Sequence, residues 1–182
     1  MLSFFKRTKA KHFIFLNPNP NKMAISNILL IGNPILNEKS EPVQTEEIPA
    51  LLPKIELMFD TVIDFRKKYG TGRAIAAPQI GLLKRIICLN TDIQVAMINP
   101  ELSNLSPEMF EVWDDCMSFP NLLVKVLRHK KLTISFFDLN WKHQTWHLED
   151  DMAELIQHEY DHLDGILATQ RAIDSQSFRW KP

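Results

Sequence analysis

Cysteine is scarce in this chain, with two in 182 residues, Cys88 and Cys116. Two thiols offer no disulfide framework, so a reducing compartment is the simpler setting and the cytoplasm is the expected location. An excess of positive charge is also missing. The formal net charge is -1, which gives no signal for a nucleic-acid partner. No apolar run approaches the ~18 residues needed to span a bilayer, so a soluble chain without a membrane partner is expected. Acidic residues are absent from the first 22 positions, which carry Lys6, Arg7, Lys9, Lys11 and Lys22 before Met23. That basic start reads as a disordered leader in preference to an organelle-targeting arm. What remains, residues 23–182, is rich enough in apolar residues for one globular domain with a sizeable core; the whole chain is 45% hydrophobic.

Along that domain, Leu51, Leu52, Ile55, Met58, Phe59, Val62, Ile63 and Phe65 recur at helical spacing. They predict an amphipathic helix from Ala50 to Tyr69, with Lys67 and Lys68 in its last turn and Gly70 ending it. Short strands are predicted at 85–90, 95–99, 109–113, 122–128, 131–138 and 144–148, with a turn at Asp138-Leu139-Asn140. A last helix begins at Asp150 or Asp151, where Asp151 and Glu154 have capping-box spacing, and Gly165 ends it. Strands followed by a buried helix predict an α+β domain.

That last helix carries His158-Glu159-Tyr160-Asp161-His162. Residues four apart share a helix face, so both imidazoles can reach one ion. Glu159, beside the first of them, is suited to take a proton from water activated there. Two imidazoles do not close a site. The extended pattern H-E-x-x-H-x-x-G-x-x-H would place a third His at 168, where this chain has Ala168. No His or Glu follows His162, and Asp174 is the one remaining downstream carboxylate off the helix. Upstream, Cys116 in Trp113-Asp114-Asp115-Cys116-Met117-Ser118-Phe119-Pro120 offers a thiolate instead. With two imidazoles it would leave one tetrahedral position open for water or substrate, the mark of a catalytic site. Cys88, in an apolar run, reads as a small core residue. His129, His143 and His147 read as surface or strand histidines.

Three separated segments resemble the motifs of peptide deformylases. Gly72-Arg73-Ala74-Ile75-Ala76-Ala77-Pro78-Gln79-Ile80-Gly81 resembles the first. Asp114-Asp115-Cys116-Met117-Ser118 is similar to the second, usually E-G-C-L-S, and Gln157 to Gly165 to the third. The resemblance implies a deformylase-like α+β fold with antiparallel sheets around a C-terminal metal-binding helix. It implies one divalent metal held by Cys116, His158 and His162, with Fe(II) favoured and Zn, Ni or Co as other occupants. It further implies hydrolysis of the formyl group from N-terminal formylmethionine of nascent peptides, with an N-formylated peptide or another small acyl amide as partner and the ribosome as its source. Glu159 would be the base, while Gln79 and the Met117 backbone N–H would stabilise the oxyanion. Arg128 would pair with Asp114 to support the ligand loop; otherwise it is a solvated charge beside Lys125 and Lys130. Asp161 is a partner of the ligand residues or a surface charge.

The departures from the family pattern fall together. Asp115 and Ala74 replace glycines, Arg73 stands where an aliphatic residue is common, and Asp114 is one methylene shorter than the usual glutamate. Arg73, Ala74 and Asp115 are the positions expected to face the bound peptide, so the chemistry is expected to survive while specificity shifts. Arg73 and Asp115 would be costly there unless they pair, with each other or with a polar group on the substrate. Two rivals remain: a metallopeptidase using Asp174, and a catalytically weak deformylase-like binder. Retention of Glu159 and Gln79 argues against the binder, since binding alone requires no base.

Overall fold

The central strand, β2 (Ile86–Asn90), is buried along its whole length, and its alternation divides the core. Ile86 and Cys88 face one cluster, and Ile87 and Leu89 face another, as the period of two requires. The first cluster is closed by helix α1 (Ile48–Tyr69), the second by helix α2 (Asp150–Leu163). The computed structural model describes residues 24–181, so the basic leader lies outside the described residues.

Helix α1 turns Leu51, Ile55, Met58, Phe59, Val62 and Phe65 inward, the face the apolar spacing predicts. It begins two residues earlier than expected, with a proline in its first turn, where the missing N–H is no loss. Gly70 ends it in the left-handed conformation at φ 72°, donating to the Arg66 carbonyl at 2.9 Å. Each fully buried side chain such as Met58 or Ile55 stabilises the fold by roughly 1.5–3 kcal/mol.

All strand pairings are antiparallel. A five-stranded sheet runs β1 (Ala74–Ala76), β2, β3 (Gln94–Ser103), β6 (Lys131–Phe137), β7 (His143–Glu149). A three-stranded sheet runs β4 (Met109–Asp115), β5 (Leu122–His129), β8 (Phe178–Trp180). The six predicted strands are present; β1 and β8, three residues each, carried no legible alternation. Helix α2 packs against β1, β5 and β7 and so bridges the two sheets. Cys116 and Phe119 join Val124, Val126 and Leu167 in a third cluster beneath the small sheet.

One expectation at α2 fails. The helix is capped from Glu149 with no side-chain hydrogen bond, and no Asp151–Glu154 capping box forms. Both carboxylates are drawn instead to Arg73, at 2.5 Å and 3.3 Å. A charge-assisted contact to arginine outcompetes a neutral N–H at the helix end. The far end of α2 is fixed by close backbone contact: Gly165 sits at φ 73°, where a Cβ would lie 2.6 Å from the Asn37 carbonyl oxygen. No helix among the described residues is long and apolar enough to cross a membrane.

Candidate metal centre and active site

Two sheet edges and one helix converge on a cavity of about 280 Å³. β1 and β4 are each the edge strand of their sheet, and Ala74 and Asp115 line opposite walls. Helix α2 contributes His158 and Glu159, and the turn after β4 contributes Cys116 and Met117.

Cys116, His158 and His162 are all buried, and their ligand atoms lie within 4.8 Å of one another. The Cys116 Sγ is 3.3 Å from His162 Nε2, which is 3.2 Å from His158 Nε2. Metal–nitrogen bonds of about 2.05 Å and a metal–sulfur bond of about 2.3 Å at tetrahedral angles require separations of about 3.3 Å between nitrogens and about 3.6 Å from sulfur to nitrogen. The donor set therefore fits a divalent ion. The electrostatics agree: burial opposes charge on His158, yet Asp114 and Cys116 hold its pKa well above the usual imidazole range, so the spot favours positive charge. His162, deprived of water and facing His158, is pushed well below that range.

Asp114 orders this centre from behind. One carboxylate oxygen lies 2.7 Å from His158 Nδ1, and the other accepts from Arg128 at 2.9 Å. Burial works to raise the Asp114 carboxyl, but His158 and then Arg128 outweigh it and hold it at about 2. Arg128 is buried and also donates to Asp161 at 2.5 Å, which in turn accepts from Arg171 at 2.9 Å. Arg128 is thus buried between two carboxylates and is no solvated charge, and Asp161 is buried beside it. Arg171, which sequence reasoning missed, sits in a short 3-10 turn with no motif around it.

Glu159 is buried, and one of its carboxylate oxygens has no hydrogen-bond partner. Burial pushes its pKa up to about 7 against the pull of His158. Glu154, one turn earlier, is likewise raised to about 7 by burial and then by Asp114. Gln79 sits in the 3-10 turn Ala77–Ile80, its orientation set by the Ala76 N–H donating to its side-chain oxygen at 2.9 Å. Its amide NH2 is thereby turned toward the cavity side, 3.2 Å from Ser118 Oγ and 3.6 Å from Cys116 Sγ.

The charged departures do not pair with each other. Arg73 is held by Asp151 and Glu154, and Asp115 by Lys181 at 3.0 Å, just past the end of β8. Lys181 lies 66 residues away in sequence, so no local spacing pointed to it. Asp174 is exposed and accepts from Ser177 and the Gln176 N–H, apart from the histidines. The metallopeptidase reading loses its third ligand.

The profile of the polypeptide deformylase family matches residues 25–178. This chain belongs to that family. Peptide deformylase 2 of Clostridium acetobutylicum is 37% identical over 149 residues, covering 81% of this chain and 95% of its own length. Peptide deformylase from Leptospira biflexa is 33% identical over 170 residues, covering 86% and 92%. The crystal structure of Thermotoga maritima peptide deformylase superposes with a TM-score of 0.73 at 31% identity, covering 81% of this chain and 97% of that one. A Synechococcus elongatus peptide deformylase in complex with actinonin shares the fold at a TM-score of 0.79 and 24% identity, covering 93% and 90%. The deformylase family and the Cys116–His158–His162 cluster together support a bound metal, and family membership implies a peptide substrate. Family membership makes this chain a metallohydrolase of the deformylase type, in the α+β class expected.

Proposed function

We propose that this deformylase removes the formyl group from N-terminal formylmethionine of nascent peptides, in the cytoplasm, using Fe(II) held by Cys116, His158 and His162. The observation that carries the reading is a buried carboxylate with a free oxygen, Glu159, beside a closed triad of soft and imidazole donors. Thiolate and imidazole together suit Fe(II), Zn, Ni or Co better than hard ions, which favour oxygen ligands.

When bound, a divalent metal supplies a Lewis acid that polarises the formyl carbonyl and makes water a competent nucleophile near neutral pH. Glu159, with a pKa near 7, is balanced to accept a proton from the attacking water and return it to the leaving amine. The Gln79 NH2 and the Met117 N–H donate to the oxygen on which negative charge develops. Neutral donors in a dry pocket stabilise that oxygen without competing for the metal. Asp114 and Arg128 are the supports that hold His158 in its orientation. The two facing edge strands, β1 and β4, suit an extended peptide, whose backbone can pair with both.

Formate release from formyl-Met peptides by anaerobically purified protein, with metal analysis of the same sample, tests the reading. Glu159→Ala is expected to lose about 10²–10⁴-fold in turnover while retaining metal. Unchanged turnover in that variant, or no formate release from the loaded protein, overturns it in favour of a binding role.

A further inference from the structure

Asp115 places a carboxylate on the wall of the cavity, a group that the metal triad and Glu159 do not themselves require. It directly precedes Cys116 and lines the cavity that holds the reacting groups. Its counter-ion, Lys181, comes from the end of the chain and is positioned by its own N–H bond to the Asn121 carbonyl at 2.8 Å. That pair is half-exposed, and exposed ion pairs of this kind are weak and readily exchanged.

Across the mouth, Arg73 is already saturated by Asp151 and Glu154. Arg66, the other cation lining the cavity, is turned onto the backbone carbonyls of Gly72 and Asn90. In two of the three ion pairs here the carboxylate is the more exposed partner, and Glu154, 8% exposed on the same arginine, is the exception. Asp151 is 75% exposed against 37% for Arg73, and Asp115 is 43% exposed against 31% for Lys181. A charge arriving from solvent therefore meets carboxylates first.

Resting on the deformylase reading, we propose that Asp115 is a specificity residue that selects formyl-Met peptides carrying a lysine or arginine just after the formylated residue. The substrate's cation takes the place of the Lys181 ammonium on the Asp115 carboxylate, an exchange of one ion pair for another. An acidic residue at that position is repelled by Asp115 and Asp151, while Arg73 and Arg66 are held by other partners. Glycine at 115 would carry no such preference.

The test is formate release by the metal-loaded full chain from three peptides, formyl-Met-Lys, formyl-Met-Ala and formyl-Met-Glu, each C-terminally amidated to remove the terminal charge. The expected kcat/KM order is Lys over Ala over Glu, each step about twofold, because the new exposed ion pair is partly offset by loss of the Lys181 pair. Asp115→Asn is expected to collapse the Lys-to-Glu ratio toward one. Lys181→Ala removes the competing ammonium and is expected to widen it. Raising the salt concentration narrows the ratio in the parent protein, since the interaction is screened. Equal kcat/KM for all three peptides, or a ratio unchanged in Asp115→Asn, overturns this inference and leaves the deformylase reading standing. No formate from any of them overturns the deformylase reading itself.

Discussion

Arg128→Met is the most informative single change outside the ligands. The guanidinium is buried between Asp114 and Asp161, which are themselves 1% and 10% exposed. Removing it leaves two carboxylates with reduced compensation: Asp114 keeps His158, and Asp161 keeps the half-exposed Arg171. Breaking a buried ion pair from one side costs about 3–5 kcal/mol, and the remaining partners keep the expectation at the lower end, about 3 kcal/mol. Arg128→Lys should recover only part of this, because a single ammonium cannot serve both carboxylates with the fork of a guanidinium. The acid limb gives an independent reading. The folded Asp114 carboxyl, at about 2 against an ordinary 3.8, lies below its unfolded value, so protons favour the unfolded chain. That stability, on the order of 2 kcal/mol, is fully present above about pH 4 and is lost as the pH falls toward 2. His158 supplies the larger share and Arg128 the next, so the variant's carboxyl rises and its acid transition moves to higher pH. Urea unfolding at pH 7 and at steps between about pH 4 and about pH 2 measures both effects. A loss under about 1 kcal/mol at pH 7 would refute the claim that this network holds the ligand helix to β4 and β5.

Two further outcomes follow from the packing and the site. Gly165→Ala should destabilise the fold by at least about 2 kcal/mol in thermal or urea unfolding, since a Cβ there meets the Asn37 backbone and the residue is left-handed; a change within 0.5 kcal/mol would show that the 37–38 segment moves freely. Gln79→Leu should lower kcat for formate release by about 10²–10³-fold with little change in KM or metal content, as loss of a charge-stabilising donor does, and a KM effect alone would assign Gln79 to substrate binding.

How much of this was legible depended on whether the determining interaction is local. Helix α1 was readable because a 3.6-residue apolar period and a C-terminal glycine are both written within one segment. The paired histidines were readable for the same reason, since helical spacing alone puts them on one face. Cys116 needed more, because a thiol 42 residues upstream of His158 becomes a ligand candidate only when the pairing of β4 with β5 carries it beneath α2. The resemblance of three motifs in order supplied what the period could not.

The misreading at α2 shows the other side of that rule. Asp151 and Glu154 have the spacing of a capping box, and a helix alone would use them so. Arg73, distant in sequence but adjacent once β1 pairs with β2, offers both a full charge instead of an orphan N–H. The same logic separates Arg73 from Asp115, whose partner Lys181 follows directly after β8. The two charged residues at these positions, Arg73 and Asp115, thus each have a counter-ion that only the folded chain could provide. Both charges are therefore compensated within the structure, and neither is left unpaired at the wall beside the Cys116–His158–His162 cluster and Glu159.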